Sequence, residues 1–171
     1  MTVVFARGTT EPGNMGVFVG SELVSAISNA MPDTSINVQG VEYAASIEGY
    51  LAGGGKDGAT SMTGLITKGL QACPNTKLVM SGYSQGGQVV HQTAAALPPE
   101  TMAKVNSVVI FGDPLSGTPV QGAGAKTLVI CHPDDDICQD GDIIAPTHLT
   151  YGFDTPKAGA FVAQMAGNSR L

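Results

Sequence analysis

The five residues Gly82-Tyr83-Ser84-Gln85-Gly86 restrict the fold of this chain more than any other segment. They follow a short apolar run, residues 77–80, that predicts a buried strand, and they precede an alanine-rich stretch, residues 87–97, that predicts a helix. A serine between two glycines at such a strand-to-helix boundary is typical of a nucleophile elbow, where a tight turn exposes the hydroxyl above a sheet. The segment therefore predicts an α/β fold with Ser84 as a nucleophile.

Short runs rich in valine, isoleucine and leucine alternate with helical patterns along the chain. The runs predict five strands, at residues 3–6, 36–41, 78–82, 107–111 and 127–131. Helices are predicted at residues 14–30, 59–72, 85–97 and 157–165. Apolar strands separated by helices indicate a parallel sheet with helices on both faces. Because the chain has 171 residues, we expect one domain that spans residues 1–171.

Charge and hydrophobicity argue against two classes of function. The chain carries 8 Lys and Arg against 14 Asp and Glu, a net charge of −6, so it offers no basic patch to nucleic acid. No apolar run approaches the roughly 18 residues that a membrane-spanning helix needs. Hydrophobic residues make up 43% and charged residues 13%, so the surface carries few charges. Such a surface is suited to an apolar or uncharged substrate. We expect no nucleic-acid partner, no transmembrane segment and a monomer.

The three cysteines bear on the cellular compartment. Cys131 and Cys138 lie seven residues apart and bracket three aspartates, without a C-x-x-C pair or a full ligand set. We therefore expect a local disulfide, no metal and no cofactor, and a disulfide indicates an oxidising compartment. Residues 1–7 lead directly into a strand and show no signal peptide, so we expect a secreted protein whose leader is absent from this chain. A cytosolic protein with three thiols is the alternative.

A catalytic serine needs a base, and the base needs an acid that fixes its tautomer. His91 lies seven residues after Ser84 on the same predicted helix, roughly 10 Å along its axis, which is too far from the hydroxyl. His132 follows the last strand and is expected in a loop near the site. His148 comes after the acidic residues and completes the order serine, acid, histidine that this fold uses. We therefore predict His148 as the base.

The residues alone do not identify the catalytic acid or the second oxyanion donor. The acid is Asp113, which also suits a turn before Pro114, or one of Asp134-Asp135-Asp136, whose spacing does not match a calcium loop. The backbone N–H of Gln85 is one expected oxyanion donor. The loop Arg7-Gly8-Thr9-Thr10-Glu11 offers another, since Thr9 carries both an N–H and a hydroxyl. The same loop also suits a plain turn with an Arg–Glu pair.

Taken together, four segments resemble the signature segments of the cutinases, which are secreted serine esterases with a small, lidless α/β-hydrolase fold. The segments are Arg7-Gly8-Thr9-Thr10-Glu11, Gly82-Tyr83-Ser84-Gln85-Gly86-Gly87, Cys131-x-x-x-Asp135-x-x-Cys138 and His148-Leu149-x-Tyr151-Gly152. The resemblance implies a triad of Ser84, Asp135 and His148, with Thr9 and Gln85 in the oxyanion hole. It also implies an apolar acyl groove, formed by Ile143, Ile144 and Leu149 on one side and by Ile47 and Tyr50 on the other.

Two positions depart from the family pattern. In the family, the cysteine that matches Cys73 bonds to one upstream of the first strand, so the resemblance implies an unpaired Cys73 and a missing N-terminal segment. Thr9 stands where many members carry serine, and it keeps the hydroxyl.

The resemblance implies hydrolysis of cutin, short-to-medium acyl esters or synthetic polyesters through an acyl-Ser84 intermediate. An acetylxylan esterase-like polysaccharide deacetylase is the alternative within the same mechanism, and the apolar groove residues argue against it. A catalytically silent binding protein on the same fold is a third hypothesis, and the complete set of catalytic residues argues against that. Only residues 43–59 are long enough to cover the site, and Gly53-Gly54-Gly55 predicts a loose flap there at most. We therefore expect an open groove.

Overall fold

Five parallel strands form the middle layer of the computed structural model, which describes residues 1–168. The strands are β1 (Thr2–Ala6), β2 (Asn37–Gly40), β3 (Leu78–Tyr83), β4 (Val105–Phe111) and β5 (Thr127–Ile130). They lie in the order β2-β1-β3-β4-β5, and every neighbouring pair is parallel. Because β1 and β3 are paired from Thr2–Leu78 to Ala6–Gly82, the loops that carry Thr9 and Ser84 leave the same edge of the sheet side by side.

Helices cover both faces of this sheet. They are α1 (Gly20–Ala30), α2 (Ile47–Leu51), α3 (Lys56–Ala72), α4 (Gln85–Ala96), α5 (Pro99–Met102) and α6 (Thr155–Asn168). Short 3-10 helices lie at Gly124–Lys126, Asp136–Gln139, Pro146–Leu149 and Tyr151–Asp154. Helices α1 and α6 pack together on one face, and α3 and α4 pack together on the other. Within residues 1–168, no helix is both long enough and apolar enough to span a membrane.

Alternate residues along β1 belong to two separate apolar clusters. Val3 and Phe5 pack with residues of α1 and α6, whereas Val4 and Ala6 pack with residues of α3 and α4. All four side chains are completely buried. A strand that is buried on both faces carries apolar residues at every position, which is why the sequence pattern predicted a sheet covered on both sides. That prediction is confirmed.

The start of the first helix differs from the prediction. A helix was expected from residue 14, but α1 begins at Gly20, and residues 14–19 form turns. The carboxylate of Glu11 accepts hydrogen bonds from the N–H groups of Val17 (2.8 Å) and Phe18 (3.0 Å). Gly16 has a φ of +68°, and a Cβ there would overlap the same carboxylate. These contacts wrap the chain around Glu11 before the helix begins.

Candidate active site

Ser84 lies in the turn between β3 and α4 with φ 57° and ψ −119°, a conformation that few residues other than glycine adopt. Its flanking glycines make the turn possible. A Cβ at Gly82 would overlap the carbonyl oxygen of Gly86, and a Cβ at Gly86 would overlap that of Ala6. The turn has the tight geometry that the sequence predicts for a nucleophile elbow.

His148 joins this serine to a buried aspartate. Its Nε2 lies 2.9 Å from Ser84 Oγ, and its Nδ1 lies 2.7 Å from Asp135 Oδ2. A carboxylate only accepts, so Nδ1 carries a proton, and in the neutral imidazole Nε2 is then free to accept the serine hydroxyl. Asp135 is 0% exposed, and its Oδ1 accepts the N–H of Ile137 at 3.1 Å. The three residues predicted from sequence thus form one hydrogen-bonded chain.

The other histidine–aspartate pair in the core lies apart from this chain. Asp113 Oδ2 lies 2.8 Å from His91 Nε2, and Asp113 Oδ1 accepts the N–H of Leu115 at 2.9 Å. The sequence placed His91 too far from Ser84 to act as the base, and it left Asp113 as a candidate acid that also suits a turn. Both side chains are in fact buried. No local pattern signals this pairing, because the two residues are 22 positions apart.

The predicted disulfide between Cys131 and Cys138 is present, and Cys73 is free and exposed as expected. The bridge closes a ring that contains Asp135. Within residues 1–168, no group of three or more His, Cys, Asp or Glu side chains is placed to hold a metal ion.

Gln85 connects the elbow to the loop after β1. Its Nε2 donates to Thr9 Oγ1 and to the carbonyl oxygen of Ser46, both at 2.9 Å. Its Oε1 accepts the N–H of Gly55 at 3.2 Å. Gln85 is also the first residue of α4, where backbone N–H groups have no partner within the helix. Thr9 and Ser84 line the same cleft, so both expected oxyanion donors belong to the neighbourhood of the serine.

Arg7 and Glu11 hold this loop without forming the Arg–Glu ion pair that the sequence also allowed. Arg7 Nε donates to the backbone oxygen of Glu11 at 2.7 Å, and its Nη2 donates to the backbone oxygen of Tyr43 at 3.0 Å. The Glu11 carboxylate accepts the N–H of Gly8 at 2.7 Å as well as those of two residues before α1. Both charged side chains are therefore used to fix the backbone on either side of Thr9.

Tyr83 supports the imidazole from the side. The Tyr83 and His148 rings are stacked with centroids 5.1 Å apart, and the Tyr83 hydroxyl donates to the His148 backbone oxygen at 2.7 Å. Burial raises the pKa of Tyr83, and the charges of Glu11 and Asp135 raise it further. The phenol therefore keeps its proton and stays a neutral donor.

An apolar cleft of about 450 Å³ opens beside Ser84 and His148. Four of the predicted groove residues line it: Ile47, Tyr50, Ile144 and Leu149. Ile143, which is 65% exposed, is not among the lining residues. Phe18 and Leu51 also line the cleft and were missed, because Phe18 was assigned to a helix and α2 was not predicted. Exposed apolar side chains gathered at one cleft are a feature of binding surfaces.

Residues 43–59, where the sequence predicted a loose flap at most, are hydrogen-bonded to α4. Gln88 Nε2 donates to the backbone oxygen of Tyr50 at 3.2 Å, and Gln92 Nε2 donates to those of Gly53 (3.0 Å) and Gly54 (3.1 Å). Together with Gln85, these side chains lie along one face of α4 and fasten the segment that contains α2. The side-chain amides of Gln88 and Gln92 thus donate to backbone carbonyls of this segment, in addition to the hydrogen bonds that the segment forms within itself.

Tyr50 also connects the two walls of the cleft. Its hydroxyl donates to the backbone oxygen of Gly141 at 2.7 Å, across 91 residues of sequence. Burial raises the pKa of Tyr50, and the nearby carboxylates of Asp140 and Asp142 raise it further, so the hydroxyl stays a donor. This hydrogen bond therefore holds the α2 wall and the loop after the disulfide together.

Comparison with known proteins identifies the family. The model of the cutinase family matches residues 1–166. A cutinase of Botryotinia fuckeliana is 52% identical over 168 residues, which cover 98% of this chain and 83% of the relative. The structure of a Trichoderma reesei cutinase in complex with a C11Y4 phosphonate inhibitor superimposes with a TM-score of 0.92. It is 48% identical, and the match covers 96% of this chain and 75% of that one.

A more distant structure shares only the fold. An acetylxylan esterase superimposes with a TM-score of 0.72 at 24% identity, over 96% of this chain and 97% of that one. The resemblance of the four sequence segments is thus confirmed over nearly the whole chain: this protein belongs to the cutinase family and has its α/β-hydrolase fold.

Proposed function

We propose that this protein is a serine esterase that hydrolyses ester bonds of cutin-like and other hydrophobic polyesters, and of short-to-medium acyl esters. The observation that carries this proposal is the hydrogen-bonded chain Ser84–His148–Asp135 at an apolar cleft. Membership of the cutinase family supports the reaction class.

In the proposed reaction, Ser84 Oγ attacks the ester carbonyl while its proton passes to His148 Nε2. Asp135 holds the imidazole and stabilises its protonated form. The backbone N–H of Gln85 and the hydroxyl of Thr9 donate to the oxygen on which negative charge develops. The proton on His148 then goes to the departing alcohol, which leaves an acyl-Ser84 ester. Water repeats the sequence and releases the acid. This chemistry needs no metal or cofactor.

The proposed acyl site is the cleft between α2 and the loop that follows the disulfide. Ile144 and Leu149 are 62% and 42% exposed there, and Ile47 lies on the other wall. An exposed apolar lining suits a chain that is part of a large, insoluble substrate, because no cover has to move before the substrate docks. Ile143, outside the lining, is proposed as a contact at the rim only.

The alternative is an acetylxylan esterase-like deacetylase, and the shared fold is the observation that favours it. Sugar hydroxyls are hydrogen-bonded to water before they bind, so a carbohydrate-binding cleft needs polar groups that replace those bonds. The cleft described above is mainly apolar, with Glu11 and Asp142 among its few charged lining residues. The apolar lining therefore favours the esterase of hydrophobic substrates.

We also propose that the protein is secreted, monomeric and a single domain over residues 1–171. The Cys131–Cys138 bridge supports an oxidising compartment. The two apolar clusters on the faces of one continuous sheet support a single folding unit.

The test compares p-nitrophenyl esters of increasing acyl length with acetylated xylan, using the wild type and the Ser84→Ala variant. We expect turnover of the butyrate ester well above deacetylation of xylan, and a loss in kcat of around 10⁶-fold in Ser84→Ala, as is typical for triad nucleophiles. A serine-directed phosphonate should label Ser84 in the wild type only. Faster release of acetate from xylan would favour the deacetylase, and substantial turnover by Ser84→Ala would remove the serine from the mechanism.

A further inference from the structure

Tyr151 is a buried tyrosine in direct contact with the proposed catalytic acid. Its hydroxyl donates to Asp135 Oδ2 at 2.6 Å, the same oxygen that accepts His148 Nδ1 at 2.7 Å. The side chain is completely buried. The mechanism proposed above gives this residue no role.

The direction of this hydrogen bond follows from a neighbouring donor. The backbone N–H of His132 donates to the Tyr151 oxygen at 2.9 Å. An N–H group cannot accept, so the single hydroxyl hydrogen of Tyr151 is directed at Asp135. Burial raises the pKa of Tyr151, and its hydrogen bond to Asp135 raises it further, so the phenol keeps its proton and remains a donor.

The Tyr151 ring is held on several sides. The His132 ring is stacked on it at a centroid distance of 4.0 Å and an angle of 14°. The rings of Phe111, Tyr83 and His148 meet it edge-on at 6.4, 6.2 and 6.0 Å. Because these rings surround the Tyr151 ring, its hydroxyl oxygen is held beside the Asp135 carboxylate.

His132 is itself anchored at both ring nitrogens. Nδ1 lies 2.7 Å from the backbone oxygen of Thr147, and Nε2 lies 2.7 Å from Asp154 Oδ2. Both partners are acceptors, so both bonds form only when the ring is protonated. Partial burial lowers the pKa of His132, but the Thr147 and Asp154 contacts outweigh it and raise the pKa overall. Where the His132 ring is protonated, its positive charge lies against the ring of Tyr151 and favours donation by the Tyr151 hydroxyl.

We propose that Tyr151 is a positioning residue that sets how strongly Asp135 attracts the proton of His148, and so the pH above which His148 acts as a base. An oxygen that shares its negative charge between two donors holds a protonated imidazole less strongly than one that serves the imidazole alone. The phenol thereby keeps His148 neutral, and able to accept the Ser84 proton, at lower pH. This inference rests on the triad of the proposed function.

The test uses Tyr151→Phe, with Tyr83→Phe as the matched control. The control also removes a buried phenol hydroxyl next to His148. In the wild type, however, the Tyr83 hydroxyl donates to a backbone oxygen and not to Asp135. The imidazole of His148 is titrated by NMR in the resting protein, and kcat/KM on a p-nitrophenyl ester is measured against pH. For Tyr151→Phe, we expect the titration midpoint and the acidic limb of the rate profile to move up together by on the order of one pH unit, or about 10-fold in proton affinity. Tyr83→Phe should move neither.

If the titration midpoint and the acidic limb are unchanged in a folded Tyr151→Phe protein, the proposal is overturned and Tyr151 is a packing residue. If that variant does not fold, 3-fluorotyrosine placed at position 151 keeps the ring and makes the hydroxyl a stronger donor. It should then shift the His148 midpoint to lower pH, and no shift would overturn the proposal equally. The wild type could also lack esterase turnover while the His148 midpoint still moves in Tyr151→Phe. That result would contradict the proposed function but support the coupling between Tyr151 and His148.

Discussion

The side-chain amide of Gln85 donates a hydrogen bond to the hydroxyl oxygen of Thr9 across 2.9 Å. Since the oxygen of Thr9 is occupied as an acceptor by an amide N–H, its own hydrogen is free to be donated elsewhere. In the proposed oxyanion hole, Gln85 would therefore act in two ways. Its backbone N–H would be one donor, and its side chain would orient the Thr9 hydroxyl, which would be the other.

Thr9→Val should lower kcat by about 100- to 1,000-fold with little change in KM, the usual effect of losing one oxyanion donor. Valine has the shape of threonine, and Gln85 keeps its bond to Ser46 in the variant, so the hydroxyl is the main loss. Steady-state kinetics on a butyrate ester measure this, with Thr9→Ser as the control that retains the hydroxyl. A defect confined to KM would assign Thr9 to substrate binding.

Ile144→Asp and Leu149→Asp should lower kcat/KM on butyl and longer acyl esters more than on the acetyl ester. Each methylene that no longer finds an apolar wall costs about 0.8 kcal/mol, so the defect should grow with acyl length. Ile143→Asp is the control for the added charge, because Ile143 is about as exposed as Ile144 but lies outside the cleft lining, so its defect should be smaller. An equal loss on every ester would show that the acyl chain binds elsewhere.

Replacing Cys131 and Cys138 together by serine should reduce activity more than it reduces the folded fraction. The ring holds Asp135 against His148, and a displacement of about 1 Å in a catalytic group can cost on the order of 100-fold in rate. The measurement pairs kcat with the thermal unfolding curve at the assay temperature. Cys73→Ser, which changes an exposed free thiol, is the control and should leave both unchanged. Activity that simply follows the folded fraction would contradict a role for the ring in placing the acid.

The contribution of His132 to stability should disappear as the pH rises. Its pKa is raised in the folded protein by its two acceptors, so the stabilisation is complete below about pH 6.5, the ordinary value for histidine, and is lost as the pH passes the raised value. The difference in Tm between wild type and His132→Gln should therefore be largest under mildly acidic conditions and shrink in alkaline buffer. Asp154→Asn, which removes the charged partner, should show the same trend. A difference that grows with pH would contradict a charged His132.

The sequence by itself determined the parallel sheet, the elbow at Ser84 and the choice of His148 as the proposed base. These features follow from properties that neighbouring residues carry: apolar runs of strand length, glycines that permit one tight turn, and an order of residues imposed by strand connectivity. The acid was different. Residue chemistry left several aspartates open, and it took the family pattern to single out Asp135.

Only the tertiary structure decided which distant polar groups meet. The Glu11 carboxylate accepts N–H groups of the turns that precede α1, so the helix begins later than predicted. Three glutamines of α4 bind the α2 segment, and the Tyr151 hydroxyl donates to Asp135. A buried polar group must find a partner, but burial does not specify which one. The partners lie on different elements, so their meeting depends on strand register and helix packing, and no stretch of sequence records it.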